Sequence, residues 1–197
     1  MKDCVMSVED YKPVELVGGV FRKGGINMIY GASGLGKTVS TIKALNAEDI
    51  EPILIDFDEN DSPADNNCHY THVLGTRAVA KGKDLQVPSN CVIVIDTWVS
   101  ATAVVGSEST LLDWVKMLQG DTNTIILIAH NKDIATKKDI PDVDEKIVNH
   151  LSAKLHMYYQ PGKAKTAKTP AKPDSVGLEV LKLRGYKGPR KIMSWMR

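Results

Sequence analysis

This sequence has few cysteines, almost no net charge and only short stretches of apolar residues. Its three cysteines (Cys4, Cys68 and Cys91) are odd in number and lack metal-ligand spacing, which argues against a metal site and indicates a reducing compartment. The formal charge of +1 gives no overall attraction to a polyanion, so any basic patch must be local. The apolar runs at 91–95 and 125–129 are too short to span a bilayer. We therefore expect a cytoplasmic protein with no membrane partner.

What is present is the composition of an ordinary globular protein. The chain has 197 residues, of which 43% are hydrophobic and 25% are charged, and this length fits one domain with a good core. We predict a single domain over 1–197. It has a short lead-in over 1–25 and a mobile loop over 161–173 that is rich in lysine, alanine, threonine and proline.

Near-continuous apolar segments alternate with helix-compatible ones through most of the chain. This pattern predicts an α/β fold built on a largely parallel twisted sheet that is covered on both faces. Strands are expected over 26–30, 52–57, 91–96 and 124–129, and helices over 38–46 and 109–119. In the last third, antiparallel C-terminal strands are expected over 153–160, 177–184 and 191–196.

The most informative motif is G-x-x-x-x-G-K-[ST], which follows the first predicted strand. The backbone N–H groups of such a loop surround an anion, and glycine is needed where the chain turns tightly. The lysine reaches the β- and γ-phosphates of a nucleotide, and the hydroxyl after it holds a bridging Mg²⁺ at the start of a helix. The motif therefore predicts a nucleotide site formed by Gly31, Ala32, Ser33, Gly34, Leu35, Gly36, Lys37 and Thr38.

A carboxylate for that metal ends the third predicted strand. Asp96 completes the hhhhD pattern of a Walker B aspartate, which binds Mg²⁺ or one of its waters. An aspartate at a strand end is by itself commonly a turn residue. Its place downstream of a P-loop favours the metal-binding interpretation.

Hydrolysis also needs a carboxylate that orients or deprotonates the attacking water. The acidic stretch 56–61 ends the second predicted strand, and we expect that strand to lie next to the P-loop strand, beside the γ-phosphate. Glu59 is the first candidate, because its longer side chain reaches the water while its backbone stays clear. Asp58 is the second candidate, and a solvated acidic turn is the alternative.

A histidine follows the fourth predicted strand. His130 is placed to sense the γ-phosphate by hydrogen bonding, although a strand-end histidine is commonly structural. The other histidines share no ligand spacing with the cysteines, so no transition metal is assigned: they are His69, His72, His150 and His156.

The strand and P-loop over 24–38 resemble the RecA-like P-loop ATPases. Within them the chain is most similar to compact phage and plasmid members, the RepA-type hexameric helicases and the Sak-type single-strand annealing recombinases. The resemblance spans 14–197 in motif order, with specific matches at the P-loop, at Asp96 and at the strand ends. It implies a RecA-like core that binds and hydrolyses ATP. It is compatible with a phage or plasmid protein that acts in a host cytoplasm.

The resemblance also implies roles for particular residues. Glu59 or Asp58 matches the family's catalytic carboxylate, and His130 matches its strand-end sensor. Asp96 and Thr97 match the Walker B pair, with Thr97 in a supporting position at most.

Two cations near the C-terminus partly match the Lys-x-Arg-x-Gly ending of hexameric helicase cores. Lys182 and Arg184 alternate on a predicted strand and so share one face, although the glycine here follows the arginine directly. In the family such cations act on the neighbouring subunit's nucleotide, which implies a homo-oligomer, either a ring or a filament. The alternative is that both cations solvate an exposed strand.

The resemblance further implies single-stranded DNA as a partner. Three segments are candidates for contacting it: 100–109, which we expect to be a loop; 131–138; and the lysine-rich 161–173, with Lys187 and Arg190 behind it. No aromatic residue interleaves the lysines of 161–173, so base stacking is not evident there.

The function predicted from the sequence is an ATP-hydrolysing motor or recombinase that acts on single-stranded DNA during replication or recombination. Unwinding and strand annealing both remain open, and the absence of accessory domains argues against autonomous processive unwinding. A second possibility is a regulatory ATPase similar to the KaiC-like proteins, which would control protein partners without DNA. A small-molecule kinase is a third, although no acceptor pocket or arginine-rich lid is evident.

Overall fold

The computed structural model of the chain describes residues 15–58, 62–131, 141–160, 175–183 and 191–193. Within these ranges the α-helices are α1 (Lys37–Asn46), α2 (Ser62–Asp65), α3 (Gly75–Lys81), α4 (Trp98–Val105), α5 (Glu108–Gln119) and α6 (Glu145–His150). The strands are β1 (Leu16–Val17), β2 (Phe21–Arg22), β3 (Ile26–Gly31), β4 (Ile53–Asp56), β5 (Thr71–Leu74), β6 (Val92–Asp96), β7 (Thr124–His130), β8 (Ala153–Gln160), β9 (Ser175–Leu183) and β10 (Lys191–Met193).

The main sheet has the strand order β10-β9-β8-β3-β7-β6-β4-β5. The six strands from β8 to β5 run parallel to one another, whereas β9 is antiparallel to β8 and β10 is antiparallel to β9. The short strands β1 and β2 form a separate antiparallel pair. The protein is therefore an α/β protein with a mostly parallel sheet and antiparallel C-terminal strands, as the sequence pattern predicts.

Helices cover both faces of the sheet, which explains why the central strands are apolar throughout. All five residues of β6 are buried, as expected for a parallel strand with neither face in water. One face packs against α3, α4, α5 and α6 through a cluster that includes Trp98, Leu111 and Ile147. The other face packs against α1 and the β1–β2 pair, where Ile42 and Phe21 are fully buried.

Parallel strands bring their C-terminal ends to one edge of the sheet. The P-loop follows β3 at this edge, and Asp56, Asp96 and His130 end β4, β6 and β7 there. The fold thus collects residues that are far apart in sequence. Among the described residues, no helix is long and apolar enough to cross a membrane.

Three expectations about the sheet and its connections are wrong. The first C-terminal strand, β8, is not antiparallel, because it returns after α6 to pair in parallel with β3. The strand β4 is not adjacent to the P-loop strand, since β7 and β6 lie between them.

The segment 100–109 is also not a loop. Most of it belongs to α4 and to the start of α5, with Gly106 in the turn between them. The Thr97 side chain caps α4, and Trp98 and Ala101 are buried on one side of that helix, which packs against neighbouring elements, whereas Ala103 and Val104 are exposed.

Candidate functional site

Glycines shape the loop that joins β3 to α1. Gly34 and Gly36 have φ values of +76° and +74°, in the left-handed region that favours glycine. A Cβ at Gly31 would overlap the carbonyl oxygen of Met157 on β8, so this position allows no side chain. Gly36 is the N-cap of α1 and offers no side chain to the helix N-terminus. The first N–H groups of α1 are therefore left to an anion, which the helix dipole also favours.

Lys37 is buried inside this loop, with 5% of its surface exposed. Its ammonium donates to the carbonyl oxygens of Gly31 at 3.1 Å and Ala32 at 2.9 Å. Burial lowers the pKa of Lys37, and the negative charges of Asp96 and Asp58 partly offset that effect. A phosphate bound in the loop would offer the same ammonium a negatively charged acceptor in place of neutral carbonyl oxygens, and so a stronger hydrogen bond.

Thr38 connects the loop to the Walker B strand. Its Oγ1 donates to Oδ2 of Asp96 at 2.6 Å, although the two residues are 58 positions apart in sequence. Asp96 is 3% exposed, and burial raises its pKa to about 6. The hydrogen bond from Thr38 opposes this rise, and the nearby negative charges of Asp58 and Asp56 add to it. The carboxylate thus lies where a cation would relieve both its desolvation and the repulsion from its neighbours.

The strand-end carboxylates lie close together because β4 pairs with β6 in register, with Asp56 opposite Asp96. Oδ1 of Asp56 accepts a hydrogen bond from the Asp58 backbone N–H at 2.9 Å, and its Oδ2 lies 3.3 Å from Nε2 of His72 on β5. Asp58 in turn accepts a hydrogen bond from the Thr97 hydroxyl at 3.4 Å. Asp56 therefore holds the turn that carries Asp58.

His130, the last residue of β7, contacts Lys37. Its Nδ1 lies 3.4 Å from the Lys37 ammonium. Burial and the positive charge of Lys37 lower the pKa of His130, while Asp58 and Asp142 oppose the shift. An ammonium can only donate, so Nδ1 is the acceptor and a neutral ring carries its proton on Nε2. The histidine thus contacts the residue expected to bind the γ-phosphate.

A cavity of about 200 Å³ lies at the centre of this arrangement. It is lined by P-loop residues and by residues of the neighbouring strand ends, namely Ser33, Gly34, Gly36, Lys37, Thr38, Val39, Asp58, Asp96, Thr97, Ile128 and His130. The structure therefore brings together most of the P-loop with Asp96, Asp58 and His130, as expected from the motifs.

The cavity does not account for every predicted residue. Glu59 and Arg184 lie outside the described residues, as do residues 1–14 of the lead-in over 1–25, segment 132–140, the lysine-rich loop, Lys187 and Arg190. Of the other three P-loop residues, Ala32 and Leu35 border a different cavity, and Gly31 ends β3 against Met157 of β8.

Lys182 belongs to another part of the sheet. It pairs with Lys154 on β8, which pairs with Met28 on β3, so Lys182 lies two strands from β3. Along the strands it is level with the position three residues before Gly31, a difference of roughly 10 Å at the usual rise. Its ammonium donates to the carbonyl oxygens of Val148 and Asn149 near the end of α6. The role of Lys182 on a neighbouring subunit's nucleotide stays a prediction.

Sequence reasoning assigned no role of its own to Asp56, which it included only in the acidic stretch 56–61, and it missed His72. Asp56 is 2% exposed and ends an apolar strand in the same pattern as Asp96, and that repeated pattern could have identified it. His72 gave no signal, because its contact with Asp56 depends on the pairing of β5 with β4.

The donor atoms fit Mg²⁺, which favours oxygen ligands and usually takes only one or two carboxylates together with phosphate oxygens. The Thr38 hydroxyl and the Asp96 carboxylate supply two oxygens within hydrogen-bonding distance of each other. Among the residues that the structure describes, no group of three or more histidine, cysteine, aspartate or glutamate side chains is placed to hold a metal.

No protein-family profile matches this chain, and no curated protein matches its sequence.

Proposed function

We propose that this protein is a P-loop ATPase that binds Mg–ATP at the loop between β3 and α1. The observation that carries the proposal is the contact of Lys37, Thr38, Asp96 and His130 around one small cavity. A glycine-rich turn that contained a lysine by chance would have no reason to place a buried carboxylate and a strand-end histidine beside that lysine.

Each residue then has a definite task. The backbone N–H groups of the loop bind phosphate oxygens, and the Lys37 ammonium turns from the loop carbonyls to the β- and γ-phosphates. Thr38 and Asp96 would hold Mg²⁺, which when bound neutralises charge on the phosphate oxygens. His130 contacts Lys37 and is placed to transmit the state of the γ-phosphate to the residues after β7.

The water-orienting carboxylate comes from the turn after β4. Asp58 faces the cavity and is fixed through its backbone by Asp56 and through its side chain by Thr97. Glu59, the next residue, remains the first candidate because its side chain is longer and reaches further toward the water. Separate Asp58→Ala and Glu59→Ala variants, scored for turnover with ATP binding retained, distinguish the two.

We further propose that the ATPase is RecA-like and works as a homo-oligomer on single-stranded DNA. The mostly parallel sheet is compatible with a RecA-like core, although other nucleotide-binding α/β proteins share this arrangement. The lysines of 131–138 and 161–173 support DNA contact, because lysines on connecting segments give salt-dependent affinity for phosphates.

One observation favours the regulatory alternative. The helix α4, which occupies 98–105 where a DNA-facing loop was expected, exposes Val99 and Val104 by 41% and 44%. Apolar side chains suit a protein partner better than a polyanion. A KaiC-like ATPase that controls protein partners therefore remains the second candidate.

ATP hydrolysis measured with and without single-stranded DNA, at low and moderate salt, tests these proposals together. The test variant is Lys37→Ala, and the matched control is Lys43→Ala, which removes another lysine from the same helix. Turnover that requires Lys37, tolerates loss of Lys43 and rises with DNA at low salt supports the DNA motor. Turnover indifferent to DNA supports the regulatory ATPase, and turnover that survives Lys37→Ala contradicts both.

A further inference from the structure

A histidine outside the phosphate cavity contacts the site through one of its carboxylates. His72 lies on β5, which is an edge strand of the main sheet in the part of the chain that the structure describes. It pairs with Leu54 on β4, two residues before Asp56, so the side chains of His72 and Asp56 lie on the same face of the sheet. Nε2 of His72 lies 3.3 Å from Oδ2 of Asp56. This contact joins a side chain that is 44% exposed to one that is 1% exposed.

The histidine is the donor in this contact. A carboxylate can only accept a hydrogen bond, so Nε2 of His72 carries the proton. The ring of Tyr70 meets the ring of His72 edge to face, with 6.2 Å between the ring centroids. That packing limits the directions in which the imidazole can turn. His72 therefore offers Asp56 a hydrogen-bond donor from a defined direction.

The direction matters because the two oxygens of Asp56 face different partners. Oδ1 accepts from the backbone N–H of Asp58 at 2.9 Å, which closes the turn after β4. The carboxylate is planar, so a donor that holds Oδ2 also sets the direction of Oδ1. His72 thus acts, through Asp56, on the turn that presents Asp58 to the phosphate cavity. Glu59, the other candidate for orienting the water, is the next residue in the sequence.

Other contacts keep the start of this turn in place without His72. The backbone N–H of Phe57 donates to the carbonyl oxygen of Asp96 at 2.6 Å, and the Phe57 ring packs edge to face with Trp114. The hydrogen bonds made by the lysine and the threonine of the P-loop do not involve His72 either. Loss of the histidine should therefore disturb the water-orienting carboxylate more than it disturbs the fold or the binding of phosphate.

We propose that His72 is a positioning residue for ATP hydrolysis, which acts through Asp56 on the turn that carries the water-orienting carboxylate. This inference rests on the proposed function. It assigns a part in turnover to a side chain on the sheet edge that belongs to none of the nucleotide-binding motifs.

Steady-state ATP turnover and the calorimetric affinity for a non-hydrolysable ATP analogue, both measured with Mg²⁺, test the proposal. In His72→Ala, kcat should fall about tenfold, because a hydrogen bond to a charged group is lost. The KM for ATP and the Kd for the analogue should change by less than about twofold, since the phosphate contacts are retained.

Two further variants separate positioning from a general structural effect. His72→Gln should recover kcat to within about threefold of the native value, because its amide nitrogen is as many bonds from the backbone as Nε2 and can donate to Asp56. His69→Ala is the matched control and should leave kcat unchanged, since the hydrogen bonds of His69 with Asn46 go through its backbone.

Three results would overturn the proposal. They are native turnover in His72→Ala, a loss of analogue affinity in that variant as large as its loss of turnover, and failure of His72→Gln to recover activity. A native protein that does not hydrolyse ATP would instead overturn the proposed function. Turnover by the native protein, together with any of the three results, would leave the proposed function intact.

Discussion

The buried carboxylate of Asp96 should make the stability of the ligand-free protein fall as the pH rises. Its pKa is raised from an ordinary value of 3.8 to about 6, mainly by burial. The folded state therefore holds the proton more tightly than the unfolded state does. The stabilisation from that proton is present at low pH and is lost as the pH rises through 6. Between about pH 4.5 and pH 8 the loss amounts to about 2 kcal/mol.

The substitution Asp96→Asn removes the titrating group while keeping an oxygen that can accept from Thr38. Urea unfolding, without Mg²⁺ or nucleotide, would be measured at both pH values. The free energy of unfolding of the variant relative to the native protein should rise by about 2 kcal/mol from pH 4.5 to pH 8. Asp113→Asn, on the exposed face of α5, is the control and should show no such change. A difference that stays constant or shrinks would refute the reasoning.

Three other predictions concern the packing near the C-terminal edge of the sheet and the role of His130. Gly31→Ala should lower the free energy of unfolding by about 2 kcal/mol or more in urea, because the new Cβ meets the Met157 carbonyl and the backbone must shift; unchanged stability would contradict the packing. Gly75→Ala should cost about 1–3 kcal/mol in the same assay through overlap with the Phe57 ring, and a variant as stable as the native chain would contradict that overlap. His130→Ala should lower ATP turnover about tenfold while ATP still binds, and loss of binding instead would argue against a sensing role.

Much of the sheet could be predicted because its central strands carry a strong local signal. The strands β3, β6 and β7 are mostly apolar, with Asn27 the one polar residue inside β3, and each was expected within one or two residues of its observed bounds. The edge strand β5 was missed, because Thr71 and His72 are exposed and the segment lacks an apolar run. The direction of β8 was also missed, since parallel and antiparallel pairing depend on the connection before a strand more than on its own residues.

The candidate site likewise has residues that the sequence predicts and residues that only the fold brings into place. The P-loop and Asp96 are recognisable because each motif is contiguous and follows an apolar strand. The residues that contact the P-loop and Asp96 depend instead on the order of the strands, in which β7 lies between β3 and β6. The contact between Lys37 and His130 is one result of that order, and the position of Asp56 opposite Asp96 follows from the register of β4.

The affinity for Mg–ATP tests the central claim most directly. Titration calorimetry would compare the native protein with Lys37→Ala and with Lys43→Ala. The account predicts that the native protein and Lys43→Ala bind alike, and that Lys37→Ala binds at least about tenfold more weakly, because a charge-assisted phosphate contact is lost. Equal affinity of Lys37→Ala and the native protein, or no binding by the native protein, would contradict it.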